Sequence, residues 1–135
     1  CTDSALLRCY DEIIIPVTRK LDPELIIVSA GYDGYQGDPL AGQRLTSGCF
    51  HALSARLQEV ANSTCDGRLC MMLEGGYDVE HLGLCVENTI LAMMGQAAIH
   101  DDPLPRPDES VEPAGLSEHV RDLIEFHRRW HGIRG

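Results

Sequence analysis

The sequence predicts an α/β fold built on an open parallel sheet. Two short apolar runs, residues 25–28 and 68–73, have the length and composition of strands that are buried on both faces. Segments with apolar residues at helical spacing precede, separate and follow these runs. A strand–helix–strand connection of this kind gives parallel neighbours through a right-handed crossover. Because two strands make a very small sheet, we expect further strands outside this chain and helices on both faces.

The first element is expected to be a helix that Asp3 caps, with apolar residues at 3.6-residue spacing. Pro16 removes one backbone hydrogen-bond donor, so this helix should kink or restart near Glu12. The dipeptide Asp22-Pro23 ends it.

The first strand leads into a polar, glycine-rich loop that extends to residue 43. A helix is expected next, over residues 47–61. Its apolar face consists of Phe50, Leu53, Leu57 and Val60. The second strand ends in a further glycine-rich loop. Asp78 is placed to cap the helix that follows, which should stop at Gly95.

The predicted domain organisation has three parts. Residues 1–100 form a portion of a larger α/β domain. Residues 101–115 contain four prolines among acidic residues, which predicts an exposed linker. Residues 116–135 contain a final amphipathic helix, expected from about residue 116 to residue 130.

Charge and hydropathy limit the kinds of partner that this chain is expected to bind. The 135-residue chain has a net charge of −10, so no basic face for direct nucleic-acid binding is expected. Acidity favours basic substrates such as lysine-rich tails, although a solvated acidic surface is the more common reason for it. No apolar run approaches the roughly 20 residues needed to cross a bilayer, and no membrane partner is expected.

The six cysteines form no C-x-x-C pair. This argues against a zinc ribbon. Unpaired cysteines favour a reducing, intracellular compartment, which would be the nucleus, the cytoplasm or both. Cys49, Cys70 and Cys85 lie in apolar periodic segments and are expected to be small buried hydrophobes. Because the chain begins with Cys1 and has no signal pattern, we expect an excerpt, a processed form or an incomplete gene model.

Polar side chains follow both predicted strands where each strand ends. The first loop offers Asp33 and Asp38, and the second offers Glu74 and Tyr77. Ligands bind at the carboxyl ends of strands in open α/β sheets, so Asp33 and Tyr77 are expected to face one cleft. A carboxylate and a phenol suit a metal ligand and an oxyanion donor. On these residues alone, a turn carboxylate and a solvated strand-end tyrosine remain open alternatives.

Two motifs carry a family resemblance. Ser-Ala-Gly-Tyr-Asp-Gly-Tyr-Gln-Gly-Asp-Pro-Leu at residues 29–40 resembles the second metal-aspartate loop of the histone deacetylase and acetylpolyamine amidohydrolase superfamily. Glu-Gly-Gly-Tyr at residues 74–77 resembles the catalytic-tyrosine loop of its class II branch. The match extends over about residues 3–97. It implies the C-terminal part of an arginase-like deacetylase fold, from a zinc-dependent enzyme that hydrolyses N6-acetyl-lysine in histones or other proteins.

The resemblance also implies roles for single residues. Asp33 would be a zinc ligand, and Tyr77 would hydrogen-bond the acetyl carbonyl and then the oxyanion. Leu40 would line the acyl-lysine channel. Gly75 and Gly76 would form the channel wall around the methylene stem of the substrate.

Two features of that family are missing here, an adjacent His-His pair and a D-x-H ligand motif. A catalytic zinc normally needs three protein ligands, so we expect the remaining ligands upstream and the chain alone to be inactive. Asp38 precedes Pro39 and is expected to order its own loop rather than bind zinc. His127 and His131 have the spacing of a metal-binding helix but no third ligand, so a solvated helix face is expected.

Two functional interpretations stay open. The first is part of a deacetylase that acts on acetylated proteins such as histone tails in chromatin regulation, with corepressor-type partners. The second is a non-catalytic truncated or pseudoenzyme module that acts through protein–protein contacts. Acetylpolyamine is the alternative substrate. Polyamine-selective members of the class II branch carry a glutamate at the position of Leu40, whereas leucine suits an uncharged acyl-lysine stem.

Overall fold

The computed structural model describes residues 1–99, 102–108, 110 and 115–132. The α-helices in this part of the chain are α1 (Asp3–Cys9), α2 (Ile15–Leu21), α3 (Ser47–Thr64), α4 (Leu82–Met93) and α5 (Leu116–His131). The strands are β1 (Ile26–Ala30) and β2 (Leu69–Leu73). Within these residues, no helix combines the length and the apolar character needed to span a membrane.

The two strands form the predicted parallel pair. Their register runs from Ile26 opposite Leu69 to Ala30 opposite Leu73. Helix α3 connects them, and α4 packs along α3. The crossover therefore brings the carboxyl ends of both strands to the same edge of the sheet, as the sequence predicts.

The two faces of this sheet differ, and the expectation of burial on both faces is wrong for these strands. On the inner face, Val28 and Met71 line a small cavity of about 90 Å³ together with Phe50 of α3. On the outer face, Ile27 is 63% exposed and Met72 is 56% exposed. Alternate residues point to opposite faces of a strand, so one set packs against α3 and the other set is left in solvent.

The N-terminal helix begins differently from the prediction. Thr2 is its N-cap, and no side chain caps the helix. Asp3 lies inside the first turn, where it is buried, and its carboxylate accepts hydrogen bonds from the backbone N–H and the hydroxyl of Thr46 at 2.9 and 2.7 Å. Thr46 in turn accepts a hydrogen bond from the N–H of Cys49 and caps α3. Asp3 therefore stabilises the start of α3 rather than its own helix.

The predicted interruption of this helix is confirmed. A π-helical turn, Tyr10–Ile14, separates α1 from α2. Pro16 follows it in the first turn of α2. Because proline has no N–H to donate and its ring crowds the preceding turn, the widened turn accommodates it without ending the helix.

The start of α4 also departs from the prediction. His81, not Asp78, is the N-cap residue. The Asp78 carboxylate accepts the N–H groups of Glu80 and His81 and contacts the His81 ring at 2.7 Å, so it orders the turn before the helix. The end of α4 is as predicted, because Gly95 adopts a left-handed φ of +69° just after the last turn.

The main core lies between α3, α4 and the loop that follows β1. Its buried members are Tyr32, Tyr35, Leu45, Cys49, Phe50, Leu53 and Cys85. The prediction of buried cysteines is confirmed for Cys49 and Cys85, and burial raises the pKa of the Cys85 thiol to about 12. It is wrong for Cys70, which is exposed on the outer face of β2.

Two described residues of the predicted linker, Asp102 and Leu104, contact the core. The Asp102 carboxylate accepts hydrogen bonds from the Tyr35 hydroxyl at 2.7 Å and from the Ser47 N–H at 2.8 Å. Leu104 packs against the core cluster. The expectation of an exposed segment is therefore wrong at these two positions, because the proline-rich composition does not reveal their contacts, whereas Pro103, Pro105, Arg106, Asp108 and Ser110 are exposed as predicted. Residues 101, 109 and 111–114 of the linker lie outside the described residues.

The amphipathic tail helix is confirmed as α5. Val120 and Ile124 are buried against Ile13 of the π-helical turn. Phe126 and Trp130, in contrast, are exposed and stack on one another with ring centroids 6.1 Å apart.

Candidate active site

The loops after β1 and β2, called the aspartate loop (residues 31–43) and the tyrosine loop (residues 74–78), are hydrogen-bonded to each other at the carboxyl edge of the sheet. The N–H of Glu74 donates to the carbonyl of Ala30 at 3.0 Å. The N–H of Tyr32 donates to the carbonyl of Gly75 at 2.9 Å. The parallel ladder thus continues past both strands, and it brings the two motifs together as the sequence predicts.

Asp33 lies directly against the glycines of both loops. A Cβ atom added at Gly31 would lie 2.8 Å from Asp33 Oδ1, and one added at Gly75 would lie 2.9 Å from the same oxygen. Real Cβ atoms do not approach an oxygen that closely, so the carboxylate occupies space that only glycine leaves free. The position of this oxygen is therefore defined jointly by the aspartate loop and the tyrosine loop.

Glycine is favoured at position 76 by its backbone conformation and by the close packing around it. The φ of Gly76 is +130°, a conformation that favours glycine. A Cβ atom at this position would lie 2.7 Å from Leu82 Cδ1 and 3.0 Å from Tyr32 Cβ. The backbone of the tyrosine loop consequently packs tightly against the aspartate loop and the start of α4. That Gly75 and Gly76 also form a channel wall stays a prediction.

Asp38 joins the two loops through its side chain. Its carboxylate is buried, with one oxygen accepting the N–H of Leu40 at 2.8 Å and the other accepting the N–H of Tyr77 at 2.7 Å. Burial opposes ionisation of this carboxyl group. The backbone N–H groups of Leu40, Tyr77, Ala41 and Asp78 together outweigh that effect, and the pKa of Asp38 lies below its usual value.

The two side chains that this carboxylate anchors through their backbones are themselves exposed. Tyr77 is 53% exposed and Leu40 is 69% exposed. Both are therefore accessible to a ligand, the phenol as a hydrogen-bond donor and the leucine as an apolar surface. Their roles in a channel stay predictions.

Comparison with known proteins decides the family. A model of the histone deacetylase domain matches residues 1–129. The chain belongs to the histone deacetylase family. It is 38% identical over 134 residues to "Histone deacetylase 10, chloroplastic" of Oryza sativa subsp. japonica, a match that covers 97% of this chain and 29% of the relative.

A human relative and a solved structure extend the comparison. The chain is 40% identical over 92 residues to "Polyamine deacetylase HDAC10" of Homo sapiens, covering 68% of this chain and 13% of the relative. The structure of the histone deacetylase Clr3 superposes with a TM-score of 0.77 at 19% identity, covering 99% of this chain and 21% of that one. The chain therefore has the fold of a histone deacetylase domain, and it spans less than a third of the length of these relatives.

Sequence reasoning missed several polar contacts that support the deacetylase loops. It assigned Asp38 to its own loop, which the bond to Leu40 confirms, but it did not find the bond to Tyr77. It also did not find that Tyr35 of the aspartate loop is buried and donates to Asp102. The aspartate before a proline was the only available signal for Asp38, and such a signal predicts only local bonds.

His51 and the pair His127 and His131 make contacts elsewhere in the fold. His51 Nε2 lies 2.8 Å from the carbonyl of Gln96, and the rings of His127 and His131 stack on α5 with centroids 5.4 Å apart. Among the residues that the structure describes, no group of three or more His, Cys, Asp or Glu side chains is arranged to hold a metal ion. Asp33 is thus a single carboxylate, of a kind that zinc accepts as a ligand, at the sheet edge.

Proposed function

We propose that this chain supplies part of the active site of a zinc-dependent protein lysine deacetylase. The observation that carries the proposal is the joined pair of loops, in which the Asp33 carboxylate lies against Gly75 and the Tyr77 backbone is bonded to Asp38. A potential metal ligand and a potential oxyanion donor thereby share one edge of the sheet. Membership of the histone deacetylase family supports the same reaction class.

Asp33 fits the role of one zinc ligand. Asp33 is partly exposed, and a side chain at Gly31 or Gly75 would collide with its carboxylate. Zinc bound with further ligands would supply Lewis-acid polarisation of the acetyl carbonyl and of a water molecule. We propose that those further ligands, and the base that accepts a proton from that water, belong to other parts of the protein.

Tyr77 is proposed to act on the acetyl oxygen. Hydrolysis adds water to the amide carbonyl and converts its oxygen to an oxyanion before the lysine amine leaves and acetate forms. The phenol is exposed and can donate its proton in a hydrogen bond to that oxygen. Such a donor lowers the barrier because it binds the oxyanion more strongly than it binds the neutral carbonyl.

Acetyl-lysine in proteins is the proposed substrate. The exposed Leu40 offers an apolar surface for the uncharged methylene stem, and it places no charge near the entrance. Because a relative is named as a polyamine deacetylase, acetylpolyamine is the substrate to test against it. We also propose that its targets include histone tails and that it has corepressor-type partners. The proposed location is intracellular.

A non-catalytic module is the second candidate. The observation that favours it is the lack, within the described residues, of a metal-binding group of three side chains. A protein of this kind would keep the loops as a folded platform without a catalytic metal.

Metal content and activity of the full-length protein distinguish the two candidates. We expect bound zinc and hydrolysis of an acetyl-lysine peptide, both lost in Asp33→Ala. Asp66→Ala, which removes an exposed carboxylate in a turn at the other end of the sheet, is the matched control and should retain both. Full-length protein that holds no zinc and hydrolyses no acetyl amide would support the non-catalytic module.

A further inference from the structure

We infer that Asp38 is a positioning residue that fixes the catalytic tyrosine relative to the leucine wall of the substrate channel. The inference rests on the proposed function, since it assigns Tyr77 and Leu40 to one reaction. It adds a residue that touches neither metal nor substrate and that acts through the backbones of both loops.

The geometry of the carboxylate carries the inference. One oxygen binds the N–H of Leu40 in its own loop, and the other binds the N–H of Tyr77, which is 39 residues away in the chain. Both bonds are short for N–H···O contacts, at 2.8 and 2.7 Å, as expected when the acceptor is ionised. A single planar group with two acceptors thus sets the distance between the two backbones.

Packing against the described residues restrains the two side chains only weakly. Tyr77 and Leu40 are both more than half exposed. Gly76, just before Tyr77, adopts a φ of +130° that lets the backbone of the tyrosine loop turn sharply. The bond from the Tyr77 N–H to Asp38 therefore restrains the backbone that carries the phenol.

The ionised state of Asp38 matters for this role. A carboxylate accepts hydrogen bonds at both oxygens, whereas an asparagine amide has one oxygen and one NH₂ group that only donates. Asp38→Asn keeps the size of the side chain but can accept only one of the two N–H groups. The other N–H would face a donor, so the link between the backbones of Leu40 and Tyr77 would be lost while the backbone bond from Tyr32 to Gly75 still joins the two loops.

A double-mutant cycle in the full-length protein tests the inference. We expect Asp38→Asn to lower kcat for an acetyl-lysine peptide by about 10- to 100-fold, because small misplacement of a catalytic group has effects of this size. In the Tyr77→Phe background, Asp38→Asn should lower kcat by less than about twofold, because the hydroxyl that it positions is already gone. Zinc content should stay unchanged in all variants.

Asp22→Asn is the matched control for this cycle. Asp22 is exposed, and its φ of +48° is a conformation that asparagine also adopts, so kcat should be unaffected. A purely structural role for Asp38 predicts the same loss with and without the Tyr77 hydroxyl. That result, or an unchanged kcat in Asp38→Asn, overturns the inference. A normal kcat in Tyr77→Phe alone overturns instead the proposed function on which it rests.

Amide hydrogen exchange in the wild-type protein tests the same inference, and this test stands even if the Asp38→Asn variant does not fold. The N–H groups of Leu40 and Tyr77 should exchange slowly, although both residues are exposed, because Asp38 holds them. In Asp38→Asn, exchange should accelerate in peptides that cover residues 38–41 and 75–78 but not in α3. Exchange of both N–H groups in the wild type at the rate of an unstructured peptide would overturn the inference.

Discussion

The carboxyl edge of the sheet and its outer face are stabilised in opposite ways. At the edge, the two loops are joined by backbone hydrogen bonds, by the packing of Asp33 against Gly31 and Gly75, and by the buried Asp38 carboxylate. On the outer face, apolar side chains such as Ile27 are left in solvent. The edge is therefore specified by contacts inside this chain, whereas the outer face exposes surface that a larger domain would be expected to cover.

Among the changes that compare the edge with the outer face, closing the space beside Asp33 should have the largest effect. Gly75→Ala places a Cβ atom 2.9 Å from Asp33 Oδ1, so the carboxylate or the tyrosine loop must move. We expect kcat/KM for an acetyl-lysine peptide to fall by about 100-fold in the full-length protein, with loss of bound zinc. Gly83→Ala is the control, because a Cβ atom there meets open space in α4 and alanine favours the helix. Equal activity of the two variants would show that the packing around Asp33 is not needed.

Introducing a charge at Leu40 should have a smaller effect than Gly75→Ala, and the effect should be on substrate preference. Leu40 is exposed beside the tyrosine loop, so a glutamate there would remain ionised and would attract a second ammonium group. We expect Leu40→Glu to raise the ratio of kcat/KM for an acetylpolyamine over an acetyl-lysine peptide by roughly tenfold, equivalent to about 1.4 kcal/mol. Leu21→Glu, at an exposed leucine of α2, is the control and should leave the ratio unchanged. A ratio that does not move in Leu40→Glu would remove Leu40 from the substrate channel.

A substitution on the outer face of the sheet should have the smallest effect. A matching substitution on the inner face should lower the free energy of unfolding by more. Ile27 is exposed, so Ile27→Thr should change the free energy of unfolding of this chain by less than about 0.5 kcal/mol and reduce binding of a hydrophobic dye. Val28 packs toward α3, and Val28→Thr should cost about 1–2 kcal/mol because it replaces a partly buried methyl group with a hydroxyl group that burial disfavours. Denaturant unfolding measures both. A larger cost for Ile27→Thr than for Val28→Thr would reverse the assignment of the two faces.

The sequence predicts the elements and the motifs of this chain better than the contacts between them. Apolar periodicity identifies α3, the parallel strand pair and α5, because burial along one face repeats with the period of the element. The loop motifs after β1 and β2 carry the family resemblance, and the sheet edge brings them together as expected.

Long-range polar contacts could not be predicted in this way. Asp3 binds Thr46, which is 43 residues away, and Tyr35 binds Asp102, which is 67 residues away. An aspartate near a helix start or before a proline indicates a local cap or turn, and nothing in its neighbours reveals a distant partner. The same limit hid the bond from Tyr77 to Asp38, although both residues belong to recognised motifs.

Tyr77→Phe in the full-length protein tests the central claim most directly, because it removes one hydroxyl and leaves the ring and both loops intact. Tyr10→Phe, a change of the same kind in the π-helical turn, is the control. With zinc content verified, we expect Tyr77→Phe to lower kcat for an acetyl-lysine peptide by about 10²–10³, or roughly 3–4 kcal/mol, with little change in KM. Tyr10→Phe should keep kcat near normal. A zinc-loaded Tyr77→Phe protein with near-normal kcat would contradict the account and leave Tyr77 as an exposed aromatic residue at the end of a strand.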